Sequence, residues 1–154
     1  SKRNVNNNYR LLKMSSVILW LAECEVELGN LAEAEKYVNL IRNRAKTGSV
    51  QDASVNYVVN PYPAGTFASK GKEYAQNAVR MESRLEFAME GHRFFDLVRW
   101  GIAEQTLNEY ISKEKVRRPY LATAKFTAGR DEYLPIPQAE ITFTNGLYKQ
   151  NPGF

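Results

Sequence analysis

The stretch EGHRFFDLVRWG, Glu90 to Gly101, gathers the side chains of this chain best suited to chemistry. It holds the only histidine, His92, between carboxylates at Glu90 and Asp96, with Arg93, Arg99 and one of two tryptophans, Trp100, close by. General acid–base work needs such groups within reach of one another. Just upstream, Glu82, Glu86 and Glu90 are spaced i, i+4, i+8, which puts three carboxylates on one helix face. A di-iron carboxylate site would need Glu-x-x-His motifs on two helices. Here the histidine follows Glu90 by two positions rather than three, which speaks against a metal. One histidine and one cysteine, Cys24, are too few for a zinc site and exclude an internal disulfide. His92 also lacks a nucleophile to activate: there is no Gly-x-Ser-x-Gly elbow, and no phosphate-binding glycine loop. Glu90 with Asp96 stays open as a glycosidase-type pair on residue type alone.

A structural role competes with catalysis for the same residues, and the composition favours it. Arg80, Arg84, Arg93 and Arg99 lie among Glu82, Glu86, Glu90 and Asp96, so a mixed-charge network is available. Arginine suits such a network because its planar fork bonds two carboxylate oxygens and stays charged when buried. Removing one partner of a buried pair would cost roughly 3–5 kcal/mol. Between the charges stand Phe94, Phe95, Leu97, Val98 and Trp100, the composition of a buried helix whose polar groups are paired. Gly91 then marks a corner where two helical segments meet, with the aromatic side chains filling the space beneath.

The second candidate is a set of rings, Tyr57, Tyr62 and Phe67, in the segment SVNYVVNPYPAGTFASKGK. Flat rings among Asn and Gly suit sugar recognition, in which C–H faces stack on the ring and hydroxyls bond to amides. The alternative is that the rings pin the segment to the rest of the chain.

The elements that must position these groups read as helices. From about Tyr9 to Leu28, Leu11, Met14, Ile18, Leu21 and Cys24 form a stripe at helical spacing, with Leu12, Leu19 and Val26 beside it. So wide an apolar arc implies burial on more than one side, with Cys24 as a buried, inert thiol. Gly29 reads as the stop and Asn30 as the cap of a second helix from about Leu31 to Lys46. There Ala34, Tyr37, Val38, Ile41 and Ala45 form the apolar stripe, while Glu33, Glu35, Arg42 and Arg44 are expected to face water. Small Ala22 and Ala34 on either side of the turn permit close approach, as in a tetratricopeptide-type hairpin. Only one such hairpin is clear, and a self-supporting array needs at least about three.

Residues 47–72 break the period and read as a long loop, with NYVV as a possible short strand. Helix resumes from about Glu73 to Met89, with Ala78, Met81, Leu85, Ala88 and Met89 as its apolar face. Further helices are expected over His92–Arg99 and Ala103–Ile111, and one turn over Gln138–Thr142 in an otherwise irregular tail. The expected fold is therefore all-α with long irregular loops, one domain divided into a hairpin (1–46), a loop (47–72) and a region of helices and tail (73–154).

Composition agrees with a protein that folds around a core. The 154 residues are 44% hydrophobic and 25% charged, with a net charge of +4. The basic residues are scattered, with a small cluster at Lys113, Lys115, Arg117 and Arg118, so they read as a solvated surface rather than a nucleic-acid groove. No apolar run approaches the ~20 residues of a membrane-spanning helix. The start, SKRNVNNNYR, has neither an apolar leader core nor an initiating Met, so the chain reads as part of a longer or processed product.

Three motifs then carry a resemblance. MESRLEFAMEGHRFFDLVRWG is similar to the signature of the SusD/RagB family at Arg80, Glu82, Arg84, Glu86, Ala88, Glu90, Gly91, His92, Arg93, Asp96, Leu97, Arg99, Trp100 and Gly101. Ser83 departs from the family's second arginine, and Phe87 changes only the apolar type. YLPIPQAEI followed by QNPGF resembles the family's closing segment, and LAECEVELGNLAEAEKYVNLIRNRA its last tetratricopeptide-like hairpin. The resemblance implies the C-terminal portion of a surface-exposed outer-membrane lipoprotein of Bacteroidetes-type bacteria. Such proteins bind glycans, or sometimes peptides, without catalysis or cofactor, and sit like a lid on a SusC-like TonB-dependent transporter. Their lipid-bearing cysteine would lie upstream, so Cys24 is not that residue. The resemblance implies a scaffold role for Arg84, Glu86, Glu90, His92, Arg93, Asp96, Arg99 and Trp100, and assigns no ligand contact to them. A helical-repeat adaptor for a protein or peptide partner remains the other reading of the same helices.

Overall fold

A computed structural model describes residues 12–48, 54 and 58–154. Its helices are α1 (Met14–Leu28), α2 (Leu31–Gly48), α3 (Thr66–Lys70), α4 (Lys72–Glu86), α5 (His92–Arg99), α6 (Ala103–Glu114) and α7 (Gln138–Phe143), with a 3-10 turn at Pro119–Leu121. No strand occurs among the described residues. Of NYVV, Val58 and Val59 are irregular, and Asn56 and Tyr57 lie outside the described residues. By its contacts the chain falls into two compact units, Ser1–Ala88 and Met89–Phe154.

In the first unit α1 and α2 form the expected hairpin. Gly29 takes the left-handed conformation (φ 85°) that a side chain disfavours. Its N–H bonds to the Val26 carbonyl and the Asn30 N–H to the Glu25 carbonyl, which terminates α1 in a Schellman-type cap. The carbonyl of Asn30 accepts the N–H of Ala34, but its side-chain amide turns back to donate to Glu25 at 2.7 Å. Ala22, Ala34 and Ala75 are wholly buried where α1, α2 and α4 draw close. Around them pack Leu19, Val26, Val38, Ile41, Phe67, Val79 and Phe87.

Two expected faces are corrected. The inward stripe of α1 is Ser15, Leu19, Ala22 and Val26, whereas Met14, Leu21 and Cys24 are exposed. Cys24 is thus not a buried thiol. The helix has apolar residues on nearly opposite sides, and periodicity does not say which side meets α2 and α4. On α4 the buried residues are Ala75, Ala78, Val79, Glu82 and Ser83, while Met81, Leu85 and Met89 are exposed. The close approach of three helices admits small residues there and displaces the long ones to the outside.

The second unit is built differently. Its core is Leu97, Ala103 and Phe126, with Val98, Ile102 and Leu107 packed against it. Side-chain amides organise the rest. Asn108 donates to the Phe126 carbonyl and accepts its N–H, both at 2.9 Å. Gln150 does the same for Ile136, accepting at 2.7 Å and donating at 2.9 Å. Asn151 donates to the Leu134 carbonyl at 2.6 Å. Each reciprocal amide satisfies both polar groups of a residue that no helix or strand can satisfy.

Candidate functional site

The described part of the expected loop, residues 58–71, is tied to the helices more closely than its composition suggests, and Glu35 supplies one of the ties. This residue was expected in water, yet it is only 5% exposed. One carboxylate oxygen accepts the Gly65 N–H at 2.9 Å and the other the Phe67 N–H at 2.7 Å. Those N–H groups open α3, where no residue of the loop supplies a side-chain cap. A carboxylate from a neighbouring helix therefore does the work of an N-cap, favoured by the positive end of the helix. A second clip acts nearby: Asn39 accepts the Tyr62 N–H at 2.7 Å and donates to its carbonyl at 3.0 Å.

Between these two anchors the loop aromatics turn inward. Phe67 is wholly buried. Its ring meets Tyr62 edge-on at 5.1 Å and Tyr74 of α4 at 6.0 Å, and Tyr62 and Tyr74 meet at 6.4 Å. Phe67 therefore presents no face on which a sugar can stack. It serves as the anchor of the loop. Tyr62 is half-buried, and burial raises its phenol pKa above the ordinary value while the nearby Arg42 charge opposes that shift. Tyr57 lies outside the described residues.

Arg42 joins this cluster to the signature segment. Its Nε donates to the Asn60 carbonyl at 2.6 Å, and a terminal nitrogen donates to Glu82 at 2.8 Å. The guanidinium also lies 4.8 Å from the centre of the Tyr62 ring. Arg44, next along α2, bonds to Glu86. The sequence placed the signature's carboxylates among arginines of the same segment and left Arg42 and Arg44 in water. In the structure these two arginines, one turn of helix away from each other's partners, are what engage Glu82 and Glu86. The signal that could have found them is the pair itself: two arginines two residues apart on one helix face two glutamates four apart on another.

The later half of the signature lies in the second unit. Asp96 pairs with Arg99 at 3.1 Å on α5. Arg93 and Arg99 both lie over the Trp100 ring, at 5.8 and 5.3 Å from its centre. Of α5 only Leu97 is buried. Phe95 is 71% exposed, and Phe94 is on the surface in T-shaped contact with Phe95 and Phe126. The expectation of a buried helix with Phe94 and Phe95 beneath it is corrected: α5 is amphipathic and meets its core along one line. Arg84 and Glu90 are exposed, and His92 is half-buried. Helix α4 stops at Glu86, short of the expected Met89, and Met89 itself takes a left-handed φ of 66° ahead of Gly91 at 84°. That left-handed pair ends the helical run between the two halves of the motif.

The chemistry available is that of binding and bracing. Among the described residues no group of three His, Cys, Asp or Glu side chains could hold a metal ion. Asp96 is occupied by Arg99, and Glu90 stands on the surface. A hollow of about 400 Å³ lies at the α1–α2 turn, lined by Gly29, Asn30, Leu31, Ala32, Glu33 and Ala68, with no ring on which a sugar could stack.

Comparison with known proteins is consistent with this geometry. A family model described as the SusD family matches residues 1–154. The SusD-like protein P2 of Formosa agariphila is 27% identical over 99% of this chain, which spans 27% of that relative. The SusD-like protein P25 of the same organism is 32% identical over 64% of the chain and 16% of its own length. A crystal structure of a SusD homolog from Bacteroides thetaiotaomicron superposes with a TM-score of 0.68 and 24% identity, covering 99% of this chain and 30% of that one. The chain thus spans less than a third of each of these proteins, and the likeness to the solved structure extends to the stacked helical hairpins.

Proposed function

The chain belongs to the SusD family, as its C-terminal portion, and from that membership we propose that the whole protein captures glycans at the bacterial outer-membrane surface and passes them to a SusC-like TonB-dependent transporter. Proteins of this family bind without catalysing. The observation that carries the reading is the match of the family model to every residue of the chain. The ordering of the signature supports it: Glu82, Glu86 and Asp96 are paired with Arg42, Arg44 and Arg99 rather than assembled around a reacting bond. The proposed location is the cell surface, with a lipid anchor carried by the N-terminal portion. Within this chain the proposed ligand-facing rings are Tyr57 and the half-buried Tyr62, on a loop held by Phe67 and Glu35.

Glycan arrays followed by calorimetry on the full-length protein test this reading. The expected result is saturable binding of an oligosaccharide with no turnover, weakened by Tyr57→Ala. Hydrolysis of the bound sugar that is abolished by Glu90→Gln would overturn it.

A further inference from the structure

In the second unit, helix α6 ends in a tight knob over residues 110–120. The N–H groups of Arg117 and Arg118 both bond to the Glu114 carbonyl at 2.9 Å, and the 3-10 turn at Pro119–Leu121 follows. These eleven residues hold four cations, Lys113, Lys115, Arg117 and Arg118, and one carboxylate, Glu114, so they carry +3 of the chain's net +4. All four cations are exposed. The helix dipole accounts for one lysine beside the last carbonyls of α6. The other three cations lie beyond the helix end, and of these only Arg118 forms an ion pair among the described residues, with Glu114 at 3.2 Å. The same guanidinium donates to the Tyr120 hydroxyl at 3.2 Å, which steadies that ring, and Tyr110 stands within its electrostatic reach. Tyr120 is 74% exposed and Tyr110 52%, and neither ring packs on the core of the unit.

We propose that this knob is a contact for anionic glycans, those bearing uronate carboxylates or sulfate esters. The inference rests on the glycan reading and deepens it by naming the charge of the sugar. Exposed rings stack on the C–H face of a sugar, and the cations beside them pair with its anionic groups: the arginine fork bonds two oxygens at once, and each lysine adds a point charge. A ring already steadied by an ion-paired arginine loses little freedom on binding. A lipid surface suits the knob less well. Attachment to a bilayer scales with the apolar area buried, and Val116 is the one large aliphatic side chain exposed there.

Calorimetry on the full-length protein tests this with oligogalacturonate, a sulfated galactan oligosaccharide and a neutral galacto-oligosaccharide of similar length. At least one anionic probe is expected to bind about tenfold tighter than the neutral one at low salt, and to lose most of that margin at about 0.5 M salt. Lys115→Gln together with Arg117→Gln is expected to weaken that probe by about tenfold, and Tyr120→Ala by a similar factor. All three side chains are exposed, so thermal unfolding is expected to stay unchanged. Failure of both anionic probes to bind overturns the proposal. So does equal affinity for the neutral probe, or anionic binding that the double substitution leaves intact. Binding to phosphatidylglycerol vesicles that needs Lys115 and Arg117, with no binding to the anionic sugars, overturns it in favour of a lipid surface. A glycan array that then shows a neutral ligand leaves the glycan reading standing, whereas an array with no ligand sinks that reading as well.

Discussion

The two units reach order by different means. The first buries a continuous cluster that runs from Leu19 through Val38 and Phe67 to Val79, and it places Glu35 and Glu82 inside with their partners. The second buries only Leu97, Ala103 and Phe126, and secures its irregular segments by amide clips at Asn108 and Gln150. Apolar burial scales with area and is shared by many neighbours. An amide clip acts on one residue and contributes about 1 kcal/mol net. The first unit should therefore resist local opening, and the second should open piecemeal.

Substitutions can break that contrast. The largest effect is expected for Phe67→Ala, which empties a fully buried ring site and should cost about 3–5 kcal/mol in thermal or urea unfolding. Phe95→Ala, in the second unit and mostly exposed, should change stability by no more than about 0.5 kcal/mol. Equal losses would mean that the two units share one core. Next comes Arg42→Ala, which leaves Glu82 buried without its guanidinium and should cost about 3 kcal/mol. The double substitution Arg42→Met with Glu82→Leu should recover most of that loss, measured as a double-mutant cycle. A smaller effect, about 1–2 kcal/mol, is expected for Asn108→Ala. Hydrogen exchange should then quicken at the Phe126 amide and leave the amides of α1 and α2 unchanged.

The smallest effect concerns pH. Burial keeps the Tyr62 phenol protonated to higher pH in the folded state than in the unfolded chain. As pH rises, the unfolded state loses its proton first. The associated stability is fully present below the unfolded pKa of about 10 and declines above it, until the folded state ionises too. Tyr62→Phe should flatten that alkaline decline in urea titrations at pH 9 to 11, and an unchanged slope would assign the decline to other groups.

Much of the helical framework was legible in the sequence. Gly29 and Asn30 marked the hairpin turn, His92 and Arg99 bounded α5, and Gln138 opened α7, because caps and glycines act over a few residues and leave local marks. The roles of particular side chains were less legible. Glu35 looks like any solvated helix glutamate, and its task depends on Gly65 and Phe67, some thirty positions away. Phe67 among Gly, Ala and Ser reads equally as an exposed ring or as a pin, and the bonds of Glu35 and Asn39 to its loop decide for the pin. The motif around Gly91 reads as one unit, yet its carboxylates at Glu82 and Glu86 answer to α2 and its Asp96 to α5.

By itself, the sequence determined the helical class, the hairpin, the lack of a nucleophile beside His92 and the family signature, all of which follow from residue type and spacing along the chain. Only the tertiary structure decided which stripe of α1 meets α2 and α4, which arginines hold Glu82 and Glu86, and that Phe67 faces the core. The physical reason is that burial and pairing are relations between distant segments. A helix with two apolar faces, or a glutamate with several arginines in reach, has more than one locally acceptable partner, and the packing of three helices around Ala22, Ala34 and Ala75 selects among them.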